Sequence, residues 1–413
     1  MRTTKRLAAK LALPISLMCV ALSFSAAADN VELQNFPPTA RGFQVLPTDL
    51  HVHTIFSDAY VWPNLRVEEA LEEGLAAFAM TDHVETTLAP QLVKDQNTGR
   101  LDKNQAFALA DRQVRDGSLP VTVIPGAELT RGIGHMNCVF IQDANQLRSA
   151  NHPDAESSQD VYDYFHTEGP KTEHEVEAAL RRASDQGGIC FLNHPYWPGF
   201  KDYVTHPEPV HERLFDQRLL QGIEVANGKN MFPLAIDVAL KNNLAMLGNS
   251  DTHRQTKWER AVDGLAHRTV TLMLAKDRQA ESLKDALTHG RTVALYRQTL
   301  IGREEDVADI LLNALTMTSV PDPTRDPVRR VPRSVIVKIQ NNAPIEMSLE
   351  LADETILLDQ TKFLRIPAGQ SLTSKVLDID PDEFPGIRFR ILNSYVSTSS
   401  QLSLMVPLQH PSQ

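Results

Sequence analysis

Five short apolar runs in this 413-residue chain end in side chains that bind metal ions: Asp49-Leu50-His51-Val52-His53, Met80-Thr81-Asp82-His83, Ile124-Pro125-Gly126-Ala127-Glu128, Phe191-Leu192-Asn193-His194 and Leu247-Gly248-Asn249-Ser250-Asp251-Thr252-His253. A β-strand sends alternate side chains to opposite faces, so His51 and His53 point the same way and can grip one ion. Asp58 follows just beyond the first run, and His135 stands seven residues after Glu128. Six histidines and three carboxylates suffice for three divalent cations, and cations that acidify a bound water make a hydrolase. Donors carried on five separate strand ends meet on one rim if the strands lie parallel around a barrel.

The elements that must hold such a rim are legible from about residue 45 to 296. Apolar runs predict strands near 46–53, 76–82, 121–127, 136–141, 188–193, 222–226, 244–249 and 268–274. Between them, Val67, Ala70, Leu71 and Leu75 recur at helical spacing, as do Val176, Ala179, Leu180 and Ala183. Further helical stretches fall near 103–116, 230–243 and 279–289, and strand–helix alternation builds a parallel sheet. The polar segment 142–171 reads as an insertion over the rim, either a lid or a mobile surface loop. Pro321 to Pro332 carries four prolines and several arginines and reads as a linker. Beyond it, Ser334–Ile339 and Ile345–Leu351 alternate apolar and polar residues around an Asn341-Asn342-Ala343-Pro344 turn, and more short runs follow to 408. That pattern predicts an antiparallel, all-β, sandwich-like domain over 333–408.

The N-terminus reads as a signal peptide over 1–28: a basic opening, an apolar stretch from Leu11 to Phe24, and a small-residue cleavage site at Ala26-Ala27-Ala28. The expected location is therefore periplasmic or secreted, with no membrane attachment after cleavage. The whole chain has 41 basic and 52 acidic residues, a formal charge of −11. Cleavage would remove four cations and bring this to about −15. With no basic stripe, nucleic acid is excluded as a partner, whereas small anions remain acceptable at a site full of cations. Cys138 and Cys190 read as two buried thiols, and an oxidising compartment also permits a disulfide.

In order and spelling, these segments resemble the polymerase and histidinol phosphatase (PHP) family of metal-dependent phosphoesterases. The matching pieces are Asp49-Leu-His51-Val-His53 with Ser57-Asp58, Thr81-Asp-His83, Gly126-Ala-Glu128, Gly134-His135, Asn193-His194-Pro195 and Ser250-Asp-Thr-His253, spanning roughly 46–296. The resemblance implies a distorted (β/α)7 barrel over 29–320, followed by the C-terminal β domain. It implies that His51, His53, Glu128 and Asp251 hold a first ion, that Glu128 bridges to a second held by His135 and His194, and that Asp58, His83 and His253 hold a third. Some relatives have histidine at the Asp58 position, and a carboxylate there favours manganese or iron over zinc.

Three divalent ions, Mn, Fe or Zn, imply a metal-bridging hydroxide held by Glu128, Asp251 and His194 as the nucleophile, with no side-chain nucleophile required. Asp49, Asp82 and Asn193 would orient imidazoles through their second ring nitrogen, or else simply cap strand ends. Arg131, Lys229 and Arg254 are candidate contacts for a phosphate oxygen, the ordinary alternative being solvation. Trp197, after the His194 run, would wall the site or plug the rim. Glu224 reads as structural. His152 and His166, in the insertion, are candidate proton donors to the leaving group or solvated histidines. Secretion with an appended β domain resembles the phosphodiesterase branch, similar to the Sb-PDE type, acting on a small organic phosphodiester. The alternative is a phosphomonoesterase on the same centre. A barrel that keeps its metals for structure alone is the non-enzyme reading, against which all nine donor positions are filled.

Overall fold

The computed structural model describes residues 33–87, 89–95, 101–131, 133–148, 173–195, 209–320, 334–352, 356–357, 361–377 and 384–409. The expected signal segment, most of the insertion with His152 and His166, Trp197 and the Pro-rich linker lie outside the described residues.

The first sheet contains β1 (Gln44–Val52), β2 (Ala77–Met80), β3 (Thr122–Arg131), β4 (Gly134–Val139), β5 (Ile189–Leu192), β6 (Gly222–Asn227), β7 (Asn230–Met231), β8 (Ala245–Asn249), β9 (Val270–Ala275), β10 (Thr292–Tyr296) and β11 (Thr299–Gly302). β2, β5, β6 and β8 are buried along their whole length, as strands covered on both faces must be. β1 pairs parallel with β2, β2 with β3, β5 with β6, and β6 with β8. The sheet is not parallel throughout, as strands lying parallel around a barrel would make it. β4 is antiparallel to both β3 and β5, and β9 is antiparallel to β1. β4 opens at Gly134, whose φ of 119° suits a residue without a Cβ, and it starts so soon after β3 that the chain can only reverse.

The sheet curls into a half-barrel. β8 returns toward β1 through one isolated parallel bridge, Val52 to Thr252, with Asp251 N donating to His51 O at 2.9 Å and Leu50 N to Asn249 Oδ1 at 2.9 Å. Gly248 lets β8 lie close against β9 and β10, because a Cβ there would sit 2.9 Å from both Ala294 Cβ and the Val270 carbonyl. Helices cover the outside, among them α1 (Pro63–Glu72), α2 (Pro90–Val93), α3 (Gln105–Gly117) and α4 (Glu173–Asp185). The last buries Val176, Ala179, Leu180 and Ala183, the stripe its spacing predicts.

The second sheet begins before the Pro-rich stretch, with β12 (Leu315–Val320), and continues through β13 (Ser334–Asn341), β14 (Met347–Leu351), β15 (Ile356–Leu357), β16 (Phe363–Ile366), β17 (Ser371–Leu377) and β18 (Gly386–Ile391) to β20 (Ser403–Gln409). The short β19 (Ser394–Tyr395) leaves it to pair with β11 of the first sheet. The expected sandwich is instead one eight-strand path, because β12 and β20 pair, in parallel, and join what would have been two layers. Val337, Ile339, Met347, Leu349, Phe389 and Val406 fill its interior, and this core is continuous with that beneath β9 and β10.

Candidate metal centre

All five donor-bearing runs end on the same rim. β1, β2, β3, β5 and β8 point one way, so His53, His83, Glu128, His194 and Asp251 emerge together. His135 arrives by the opposite route: it lies at the start of antiparallel β4, opposite Thr130 of β3, and the start of a reversed strand is at the same edge as its neighbours' ends. The nine side chains fall into three groups, in each of which the donor atoms lie within 4.8 Å of one another: His51, His53 and Asp251; Glu128, His135 and His194; and His53, Asp58, His83 and His253.

The first group is the tightest. His51 Nε2 lies 3.0 Å from His53 Nε2, 3.2 Å from Glu128 Oε2 and 3.2 Å from Asp251 Oδ1, and His53 Nε2 lies 3.0 and 3.2 Å from those same oxygens. Donors bound about 2 Å from one ion stand about 3 Å apart, so this spacing fits a cation. Glu128 turns its other oxygen, Oε1, to His135 Nδ1 at 2.9 Å and His194 Nε2 at 3.9 Å, and Asp251 Oδ2 lies 3.8 Å from the same His194 nitrogen. Both carboxylates therefore span two groups. Asp58 Oδ2 meets His253 Nε2 at 3.2 Å and His83 Nε2 at 3.5 Å in the third.

The backbone is bent to achieve this. His194 and Asp251 have positive φ, 24° and 54°, an arrangement uncommon for residues other than glycine that costs about 1–3 kcal/mol where it is enforced. Hydrogen bonds hold both: His194 N donates to Glu224 Oε2 at 2.8 Å and Asp251 N to His51 O.

Burial alone would push the Glu128 and Asp251 carboxyls up, but the rings of His83, His51 and His135 around the first and of His51, His53 and His253 around the second hold both well below the carboxylate range. Asp58 behaves in the same way beside His83 and His253. Burial lowers His253 too, but Asp58 and Asp251 outweigh it and raise the ring to about 9. His194, buried and facing His135, falls to about 4. The donor set is thus anionic oxygens interleaved with basic nitrogens, which suits divalent cations.

The supporting groups differ from those expected. Asp49 does not orient an imidazole: it accepts from Ser250 N at 3.1 Å and from Arg268 Nη1 at 3.0 Å, and so fixes the approach to Asp251. Asn193 donates to Glu128 Oε1 at 2.9 Å and positions that carboxylate. Asp82 reaches a ring only through Ser57, whose hydroxyl lies 2.6 Å from Asp82 and 3.3 Å from His53 Nδ1. The carboxylate that orients an imidazole is Glu224, 3.0 Å from His51 Nδ1, with Asn249 and Asn227 each donating to it at 2.8 Å. Its sequence signal was a charge inside the otherwise apolar run Gly222–Asn227. Two buried cations carry no signal in the spacing of the sequence. Buried Arg66 donates to the carbonyls of His53 at 2.9 Å, Thr252 at 3.0 Å and Arg254 at 2.7 Å, and so ties two donor loops together. Buried Lys103 bonds Thr86 O at 2.8 Å, and burial lowers its amine to about 8 despite Asp82 and Glu85 nearby.

Of the candidate substrate contacts, Lys229 is engaged with Asp263 at 3.1 Å on the surface. Arg254 stacks on Trp258, its guanidinium carbon 4.7 Å from the ring centre. The Arg131 side chain, like Trp197, lies outside the described residues.

No family model matches the chain, and no curated protein sequence matches it. Among solved structures, a two-domain protein from Bacteroides vulgatus containing a predicted PHP-like metal-dependent phosphoesterase is 28% identical, with a TM-score of 0.73 over 90% of this chain and 97% of its own. The likeness to that protein spans both sheets of this chain. A proposed metal-dependent phosphoesterase from Bifidobacterium adolescentis, 16% identical, covers 50% of this chain and 87% of its own at a TM-score of 0.35, an overlap too low to carry an argument.

Proposed function

We propose that this chain is a metal-dependent phosphoesterase of the PHP type that hydrolyses a small organic phosphodiester to a monoester and an alcohol. The observation that carries this reading is the pair of carboxylates, Glu128 and Asp251, each presenting one oxygen to the first donor group and the other to His194. Neighbouring ions held in this way are the arrangement suited to an in-line displacement at phosphorus. When bound, divalent ions supply Lewis acidity toward a water and a phosphoryl oxygen.

The chain's own residues do the rest. His51, His53, Glu128 and Asp251 would hold one ion, Glu128, His135 and His194 a second, and Asp58, His83 and His253 a third. Glu224, facing His51 Nδ1, would hold a proton there when a metal is bound, leaving Nε2 to turn its lone pair to the centre. Arg66 and Asp49 hold the two loops at a fixed separation, which keeps the donors organised before substrate arrives.

Hydrolysis of a diester rather than a monoester, and a periplasmic or secreted location, belong to the same proposal. The leader-like N-terminus supports the location, as does the disulfide between Cys138 and Cys190, a bond that persists in oxidising compartments. The test is direct. Full-length protein reconstituted in turn with manganese, iron or zinc is assayed on matched aryl and alkyl phosphodiesters and on their monoesters. Turnover of diesters that requires added metal is expected, and activity confined to monoesters would replace this reading with the phosphomonoesterase.

A further inference from the structure

Beside the third donor group the rim opens into a cleft of about 620 Å³ lined by Tyr60, Val61, Arg254, Gln255 and Trp258. Both walls are chain neighbours of proposed ligands: Tyr60 follows Asp58 by two residues, and Arg254 follows His253 directly. They are also fixed to each other, because Tyr60 N donates to the His253 carbonyl at 2.8 Å and Arg254 N to Glu259 Oε1 at 2.9 Å. Trp258 stands on the first turn of the helix Thr256–Asp263, whose start is anchored by Thr256 N donating to Glu69 Oε1 at 2.9 Å.

Two large aromatic side chains are left open here, Tyr60 at 68% and Trp258 at 49% exposed. Rings of this size ordinarily seek burial, and exposed ones grouped beside a polar centre mark places where something else packs. Between them lies the Arg254 guanidinium, 4.7 Å from the centre of the Trp258 ring and 6.0 Å from that of Tyr60. It has no carboxylate partner among the described residues. The cleft thus offers flat faces and an uncompensated positive charge in a chain whose formal charge is −11.

We propose that this cleft is the subsite for the organic group of the ester and that it selects a planar aromatic group, packed on the surface that Tyr60, Arg254 and Trp258 form together, with the Arg254 charge turned to the phosphoryl anion. This rests on the phosphoester reading above. The ester group is bonded through oxygen to the phosphorus that the metal centre would bind, and the cleft begins on the Asp58 and His253 side of that centre. A flat ring matches the stacked tryptophan–guanidinium surface over its whole face, whereas a short alkyl group touches only part of it.

The test measures binding rather than turnover. Phenylphosphonate and methylphosphonate, neither of which has an ester bond to break, are titrated calorimetrically into the manganese-loaded full-length protein. Phenylphosphonate is expected to bind about tenfold more tightly, and the preference to collapse to about twofold or less in Trp258→Ala and Tyr60→Ala. Both substitutions remove exposed side chains, and measured metal content and circular dichroism establish that the variants remain folded and loaded. Equal binding of the two phosphonates by the unmodified protein, or a preference that survives both substitutions, overturns the subsite and leaves the phosphoesterase standing. Failure of both phosphonates to bind overturns this subsite, while the phosphoester reading stands or falls with the assay on esters. Self-association that Trp258→Ala abolishes while the phenyl preference persists assigns the aromatic face to a second copy of the chain.

Discussion

Glu224 illustrates how a single buried charge can set the chemistry of its neighbours. It accepts from four donors, the His51 ring, the His194 backbone and the amides of Asn227 and Asn249. In Glu224→Gln the new amide must turn two N–H groups toward partners that also donate, so at least one of these contacts is lost. Metal affinity in a competitive chelator titration is expected to fall by about 10–100-fold, the usual cost of losing the carboxylate behind a ligating histidine. Unchanged affinity would show that His51 needs no such partner. Protonation works at the same scale. With its pKa raised to about 9, the His253 ring is charged at neutral pH in metal-free protein, and it contributes stability that is complete below about 6.5 and lost as pH climbs to 9. Ligation takes the ring without that proton. Metal binding should therefore release protons and tighten as pH rises from 6.5 to 9, detected as a calorimetric heat that depends on the ionisation enthalpy of the buffer. A heat identical in all buffers would contradict this.

Among the elements, β4 has the greatest effect on the centre. By reversing direction between β3 and β5 it delivers His135 from a strand start and places Cys138 opposite Cys190, where the two form a disulfide between adjacent strands. The two buried thiols read from the sequence are thus a bonded pair. α1 contributes from outside the sheet. Arg66 reaches inward from it to carbonyls at both donor loops and pairs with Glu69 at 2.7 Å. Arg66→Met would take the guanidinium away from the buried His53 carbonyl, remove one of two donors from each of the Thr252 and Arg254 carbonyls, and leave Glu69 held by Thr256 without its ion pair. A stability loss of about 1–3 kcal/mol is expected in urea unfolding, the cost of one buried acceptor left unsatisfied. A loss under about 1 kcal/mol would mean that the loops hold together without it.

At the scale of the molecule, the two sheets share one apolar core. Leu272, Val293 and Leu300 of the first and Val337, Ile339 and Met347 of the second belong to a single cluster, with Val307, Ile310 and Leu311 of the helix Glu304–Ala314 between them. β19 adds a hydrogen-bonded link, and Thr398 N reaches Asp237 Oδ1 at 2.9 Å. Ions that bind the folded chain stabilise it by mass action, by about 2.7 kcal/mol at a hundredfold excess over the dissociation constant. With a shared core, scanning calorimetry should show one unfolding transition that moves upward as a whole on metal addition. Two transitions of which only one moves would show that the sheets unfold independently.

The sequence by itself determined what is local. Side-chain alternation along β1 puts His51 and His53 on one face whatever that strand pairs with, and the apolar stripe of α4 is a consequence of helical period. Runs that end in donors likewise predict donors at strand ends. Only the tertiary structure decided which strands neighbour one another and in which direction. The pairing of β4 with β5 that faces Cys138 and Cys190, the β12–β20 pairing that turns an expected sandwich into one curled sheet, and the turning of Glu224 onto His51 all join residues far apart in the chain. Such contacts depend on loop closure and on register, which a one-residue slip would invert, and neither is carried by the spacing of residues within a single segment.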